Sequence, residues 1–290
     1  MLNRSAMKFS GLGCCLFVTA ACGSAQRTPP EPPGPPAVTA QPAPAPAPTP
    51  TPTSVAAVNE VPVTPAVAAA LAAPDRVEAD RALDAGRKPD QWLSFFGIAQ
   101  GQRVGEIGAG GGYTSEILAR IVGPSGAVYA ENPSIFLKRF AEKPWSERLA
   151  KPVLKNVVRS DGEPDAPFPA GTQGLDAVVS ILVYHDFVWQ GVDRSKMNRA
   201  VFAALRPGGV YGIIDHSGRP GTGATEAESL HRIEESVVRS EVEQAGFALD
   251  GEASFLRNPS DTRDWSASPR FAGEKRGTSD RFVLRFKKPG

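Results

Sequence analysis

Short apolar runs and helical periods alternate from residue 103 onward. "RVGEI" (103–107) is an apolar run that ends at glycines, the signature of a strand. "YTSEILARIVG" (113–123) sets Ile117, Leu118 and Ile121 at helical spacing and stops at Gly123. "GAVYAEN" (126–132) reads as a second strand, "SIFLKRFAE" (134–142) as a helix ending before Pro144, and "PVLKNVVRSD" (152–161) as a third strand. "LDAVVSILVYHD" (175–186) is a strongly apolar fourth strand. "SKMNRAVFAALRPGG" (195–209) predicts a helix closed by a Pro-Gly-Gly turn, and "VYGIIDH" (210–216) a fifth strand. "TEAESLHRIEESVVRSEVEQAGF" (225–247) predicts one long helix, with Thr225 and Glu228 as a capping box. "FALDGEASFL" (247–256) and "DRFVLRFKKP" (280–289) supply two late strands, seven in all.

Strands that alternate with helices and carry continuous Val/Ile runs are buried on both faces. The prediction is an α/β fold with a mostly parallel seven-stranded sheet and helices on both faces. In such sheets ligands bind beyond the carboxyl ends of the strands. The last residue of each strand, and the first of each following loop, are therefore the candidates for chemistry. Ahead of the first strand, "DRALDAGRKPDQWLSFFGI" (80–98) offers Trp92, Phe95 and Phe96 either as an apolar lid or as core.

The first quarter of the chain has a different pattern. Arg4 and Lys8 precede the apolar stretch "GLGCCLFVTAA" (11–21). It is too short for a membrane-spanning helix, which needs about 20 residues, and suits an export signal. Thr19, Ala20 and Ala21 then precede Cys22, which resembles a lipobox whose cysteine is lipidated. Between Pro29 and Pro65 lie fourteen of the chain's 28 prolines, mixed with Ala and Thr, a composition that buries little. The expected organisation is a signal over 1–22, a Pro/Ala/Thr-rich disordered linker over 23–73, and one domain over 74–290. The expected location is outside the cytosol, as a membrane-anchored lipoprotein or a periplasmic protein. All three cysteines, Cys14, Cys15 and Cys22, fall in the signal segment. The domain therefore has no disulfide, no thiol nucleophile and no zinc-thiolate site. A formal net charge of +1 without a basic block gives no reason to expect a nucleic-acid partner.

In "VGEIGAGGGY" (104–113), Gly108, Gly110 and Gly112 alternate, and Glu106 stands two residues ahead of the first. Glycines let backbone N–H groups approach a ligand and permit positive φ. The following helix turns its N-terminus toward the same space. Dinucleotide-binding turns space their glycines differently. A carboxylate here would repel a pyrophosphate and suit a ligand with a cationic aminoacyl end.

The run "VGEIGAGGGYTSEILARIVGPSGAVYAENP" resembles the first motifs of class I S-adenosylmethionine-dependent methyltransferases. The resemblance continues through "RSDGEPDAPFPAGTQGLDAVVSILVYHDF" and "VFAALRPGGVYGIIDH", and covers about residues 80–256. It implies a Rossmann-like methyltransferase fold, S-adenosylmethionine as cofactor, and transfer of a methyl group to an unidentified acceptor. It further implies that Glu106 and the backbone of Gly108, Ala109, Gly110 and Gly112 hold the methionine end of the cofactor. By the same resemblance Glu131 accepts the ribose hydroxyls, although Asn132 occupies the position where many members carry the acid. Asp161 would meet the adenine amino group.

Three histidines remain: His185 and His216, which end the fourth and fifth strands beside Asp186 and Asp215, and His231, expected on the long helix. Neighbouring strand ends can bring them to one cleft. Such a group can handle a proton as a histidine base with a carboxylate orienting it; it can hold a divalent metal; or it can be a set of satisfied polar strand ends. Two functions fit the whole: a methyltransferase, or an exported binding or scaffold lipoprotein that keeps the fold without the activity. The second has a motive, because the cofactor is made in the cytosol.

Overall fold

The structure, a computed structural model, describes residues 57–290. The expected signal, the lipidation residue Cys22 and the linker up to residue 56 lie outside the described residues. Where the composition predicts a linker running on to 73, the structure differs. Pro65–Ala72 forms helix α1, capped by Thr64, whose side chain accepts the Val67 N–H at 3.3 Å. Proline at the first helical position costs nothing there, because its missing N–H has no intrahelical partner in any case. Val67 and Ala70 are buried in the core, and Val58 bridges to Ala253. Proline and alanine read as linker by composition, yet Val67 and Ala70 pack into the core and Thr64 caps the helix.

Helices α2 (Glu78–Arg87) and α3 (Pro89–Phe95) follow, joined at Lys88 with φ 46°. Trp92, Phe95 and Phe96 are core, not a lid: all are at most 4% exposed. A Cβ on Gly212 would lie 2.5 Å from the Phe96 ring, so the aromatic seats directly on the sheet.

The sheet comprises β1 (Arg103–Ile107), β2 (Ala127–Glu131), β3 (Val157–Ser160), β4 (Leu175–Ile181), β5 (Leu205–His216), β6 (Ala248–Ala253) and β7 (Arg281–Lys287). Their spatial order is β3-β2-β1-β4-β5-β7-β6. β1 to β5 are parallel; β7 runs antiparallel between β5 and β6. The remaining helices are α4 (Tyr113–Val122), α5 (Ser134–Phe136), α6 (Glu142–Leu149), α7 (Asp186–Trp189), α8 (Arg194–Ala204) and α9 (Glu235–Gln244). A π-helical turn, Leu137–Ala141, joins α5 to α6, so the helical path continues past Pro144 instead of ending before it.

Period-two alternation divides the apolar residues between two cores, one per face of the sheet. Val179, Ile214 and Val283 join α1, α3 and α4 residues in one core; Val178, Ile213, Phe282 and Leu284 join α8 and α9 residues in the other. Each buried Val, Ile, Leu or Phe contributes about 1.5–3 kcal/mol. The strand order reverses between β1 and β4, and the crevice at such a switch point is where ligands bind.

The predicted helix over 225–247 is present only from Glu235. Thr225 and Glu228 form no capping box; Thr225 Oγ1 donates instead to the Thr222 carbonyl at 2.7 Å. Tertiary bonds explain this. Ile233 N–H donates to the His216 carbonyl at 3.0 Å and Gly218 N–H to the Ile233 carbonyl at 2.8 Å, so Ile233 continues alongside the exit of β5. Arg232 is fully buried against Asp261 at 2.9 Å. Those backbone groups cannot also serve a helix.

Candidate functional site

The glycine loop leaves β1 at Ile107 and enters α4 at Tyr113. Gly108, Gly110 and Gly112 take φ of 72°, 57° and 82°, a region open chiefly to glycine. Space also requires them. A Cβ on Gly108 would lie 2.7 Å from Val183, and one on Gly112 2.5 Å from the Trp145 ring. The loop donates three bonds to the end of β2 and the residue after it. Gly108 N–H donates to Glu131 Oε2 at 2.9 Å, Ala109 N–H to the Glu131 carbonyl at 2.8 Å, and Gly110 N–H to Asn132 Oδ1 at 2.7 Å. Asn132 returns a bond from Nδ2 to the Gly110 carbonyl at 3.0 Å. Of the two adjacent residues, the acid aims at the first glycine and the amide clamps the middle one.

Glu131 is fully buried, and its Oε1 has no partner. Burial pushes its pKa well above the usual carboxylate range, outweighing the Gly108 bond. An unsatisfied buried carboxyl oxygen costs about 1–3 kcal/mol or more, and this one lies at the end of β2 beside the glycine loop. Glu106, 3% exposed, accepts from Ser115 Oγ at 2.5 Å. Burial lifts it to about 7, against the opposing pull of the Ser115 bond and of Arg87. Asp161 is different: its carboxylate is 45% exposed and fully engaged by Arg159 Nε at 2.7 and 2.9 Å.

Arg87, at the end of α2, escapes sequence reasoning because nothing local marks it. Its guanidinium stacks 4.5 Å from the Tyr113 ring and, among the described residues, pairs with no carboxylate. Burial, with Arg276 nearby, lowers its pKa despite Glu106 in the same space. Arg281 is likewise held down to about 10, first by burial and then by Arg87. Arg87, which pairs with no carboxylate among the described residues, thus lies within electrostatic reach of the buried Glu106.

Beyond β4 the chain turns at Leu182 with φ 58°, and the Val183 that closes on Gly108 brings the next residues beside the loop. His185 is buried. Its Nδ1 lies 2.7 Å from Asp215 Oδ1, and its own N–H donates to Asp215 Oδ2 at 2.7 Å. Its Nε2 lies 3.2 Å from His231 Nδ1 and 3.3 Å from Asp186 Oδ1. His231 Nδ1 is 3.3 Å from the same Asp186 oxygen, completing a triangle. Trp189 Nε1–H also donates to Asp186 Oδ1 at 2.9 Å. The structure thus brings together His185, Asp186, Asp215 and His231. His216 stands apart: it turns its Nδ1 to Ser279 Oγ at 2.7 Å, its ring 5.6 Å from that of His185. His231 reaches the group from a turn with φ 52°, not from a helix.

The charges follow from the geometry. Burial opposes a charged His185, but the Asp215 and Asp186 carboxylates outweigh it and lift the pKa to about 10. His185 therefore holds its proton at neutral pH and is not a free base in this state. Burial and the neighbouring His185 push His216 well below its usual value, so it stays neutral. Burial of Asp186 is overcome chiefly by His185, which holds that carboxyl well below the usual range.

No protein-family model matches the chain, and no curated protein matches it. Solved structures do. The complex between the Trm112 methyltransferase activator of Haloferax volcanii and its assigned methyltransferase matches at TM-score 0.51 and 15% identity, over 73% of this chain and 93% of that one. A S-adenosylmethionine-dependent methyltransferase of Aquifex aeolicus matches at 0.48 and 19%, over 68% and 87%. The [4+2]-cyclase SpnF matches at 0.49 and 15%, over 80% and 99%. With the strand order described above, the fold is the Rossmann-like one of class I methyltransferases.

Proposed function

We propose that this chain, built on the class I methyltransferase fold, binds S-adenosylmethionine and transfers its methyl group to an acceptor seated beside His185 and Asp186. The observation that carries the reading is the buried Oε1 of Glu131, at the carboxyl end of β2 beside the glycine loop, which has no partner among the described residues. A carboxylate oxygen there accepts the hydroxyls of a ribose, while Oε2 keeps its bond to Gly108. Glu106 and Arg87 would answer the two charges of an amino-acid end: the acid the ammonium, and the guanidinium, without a carboxylate partner among the described residues, the carboxylate. The glycines, which carry no side chain, let the ligand lie against the backbone. Asp161 lies at the end of β3, where an adenine amino group would share it with Arg159. The bound cofactor would supply an electrophilic methyl group on a sulfonium. The protein's own work is alignment, since direct displacement is governed by how the acceptor is positioned.

Calorimetric titration of the purified chain with S-adenosylmethionine and S-adenosylhomocysteine tests the reading. Binding of both at micromolar levels, with none of NADH, is expected; no heat with millimolar S-adenosylmethionine refutes it. We propose also that Cys22 is lipidated and holds the domain at a membrane surface outside the cytosol. Labelling with a tagged fatty acid, abolished in Cys22→Ser, is the expected outcome, and an unlabelled native protein overturns it.

A further inference from the structure

We propose that His185 Nε2, His231 Nδ1 and Asp186 Oδ1 form a two-histidine, one-carboxylate site for a divalent first-row transition metal. The three donor atoms come from the turn between β4 and α7, from the first residue of α7, and from the turn before α9. They lie 3.2, 3.3 and 3.3 Å from one another. Ligands about 2.1 Å from a common ion are separated by about 3.0 Å at octahedral and about 3.4 Å at tetrahedral angles. The observed edges fall between the two.

Hydrogen bonding accounts for this triangle poorly. A proton on His185 Nε2 can be shared between His231 Nδ1 and Asp186 Oδ1, but it leaves the lone pairs of those two atoms facing each other at 3.3 Å. If both nitrogens are protonated toward Asp186, their N–H groups face each other across 3.2 Å. Asp186 Oδ1 already accepts from Trp189 Nε1 as well. A cation at the centre takes one lone pair from each atom and removes the conflict.

The surroundings match a metal site in two further respects. His185 Nδ1 is held by Asp215, which is itself fixed by the backbone N–H groups of His185 and His216, each at 2.7 Å. A carboxylate behind a ligating imidazole fixes the tautomer and directs the other nitrogen to the metal. Charge also balances once the ion displaces the proton on His185 Nε2: Asp186 and Asp215 then carry two negative charges beside two neutral imidazoles, and a divalent ion neutralises them. Two imidazoles favour zinc, iron, cobalt or nickel over magnesium. The side chains of Asp186 and His231 are 16% and 21% exposed, so an ion would keep coordination positions open to the crevice.

This proposal is independent of the cofactor reading, because the metal is titrated with no cofactor present. The full chain is treated with a chelator, desalted and titrated with Co²⁺, followed by visible absorption and calorimetry, with Zn²⁺ as competitor. One equivalent should bind with a d–d band characteristic of nitrogen and oxygen ligands, and Zn²⁺ should displace it. His231→Ala and Asp186→Asn should each weaken binding by at least 100-fold, with unchanged far-UV circular dichroism. Asp215→Asn should weaken it by about 10- to 100-fold. His231, on a partly exposed turn, gives the variant least dependent on core packing. Absence of binding at 100 μM Co²⁺, or equal binding by the native chain and His231→Ala, overturns the proposal.

Discussion

Glu131→Gln separates the two roles assigned to this carboxyl. Glutamine has the same shape, and its carbonyl can keep the Gly108 N–H bond of 2.9 Å. The orphaned Oε1 position then becomes an NH₂, a donor where a ribose hydroxyl needs an acceptor. Losing one hydrogen bond to a charged group costs about 1.5–3 kcal/mol. Near 2 kcal/mol, affinity for S-adenosylmethionine falls roughly 30-fold.

Stability should move the other way. Burial raises the Glu131 pKa above its unfolded value, so the folded state binds the proton more tightly than the unfolded one does. Stability from this group is complete below the unfolded carboxyl pKa and is lost as pH rises through the folded one. Glutamine does not titrate. Between pH 5 and 8 the native protein should therefore lose more stability than the variant, and at pH 8 the variant should melt no lower. Calorimetric titration at pH 8 and thermal melts at both pH values read the two effects. Affinity within threefold of native, or a Tm several degrees lower at pH 8, would refute the reasoning.

Four further outcomes follow from the same geometry. Glu106, lifted to about 7 by burial, should ionise to meet a cationic ligand end, so S-adenosylmethionine affinity should rise about tenfold from pH 6 to pH 8. The apo protein should lose stability over that range, because a raised carboxyl pKa favours the fold only while protonated; a Glu106→Gln chain that keeps both pH dependences refutes this. Gly108→Ala forces φ of 72° on a side chain whose Cβ sits 2.7 Å from Val183, and should cost about 2–5 kcal/mol from strain and overpacking, read by urea unfolding. Arg87→Met should weaken S-adenosylmethionine binding at least tenfold with no loss of Tm, since the removed cation has no carboxylate partner among the described residues; unaltered affinity by calorimetry would exclude Arg87 from the site. Arg232→Met strands the buried Asp261 carboxylate and should cost about 3–5 kcal/mol in urea unfolding, whereas a loss under about 1 kcal/mol would show the pair to be dispensable.

Much of this fold was legible because it is written locally. The Val/Ile runs of β1, β4 and β5 are continuous since both sheet faces are covered, and all seven strands are found where the runs fall. The alternating glycines are legible because positive φ selects them. What failed was long-range. Val67 looks like linker until the core it enters is seen, and Trp92, Phe95 and Phe96 are equally good as lid or core until Gly212 meets Phe96. Arg87 lies 19 positions before Glu106, and only the packing of α2 against Tyr113 brings the two together. Asn132 was visible as an offset in the acid position; its clamp on Gly110 required the loop geometry.

His231 is the instructive case, because the residue was legible and its placement was not. The run 225–247 has helical periodicity, and a helix through it would set His231 one position, about 100°, from Leu230. The backbone of Ile233 instead pairs with His216 and Gly218 at the exit of β5, and Arg232 is consumed by Asp261. These bonds hold the chain extended just after His231, which ends the turn over 223–230 with φ 52°. Periodicity cannot anticipate this, since each partner lies 15 or more residues away in sequence. A helix would have carried the imidazole on a surface of its own. The observed path runs it along the strand ends, where the turn after β4 gives His185, α7 opens with Asp186, β5 gives Asp215, and the incoming turn supplies the third corner. The local rule that fails here is the one the site required to fail.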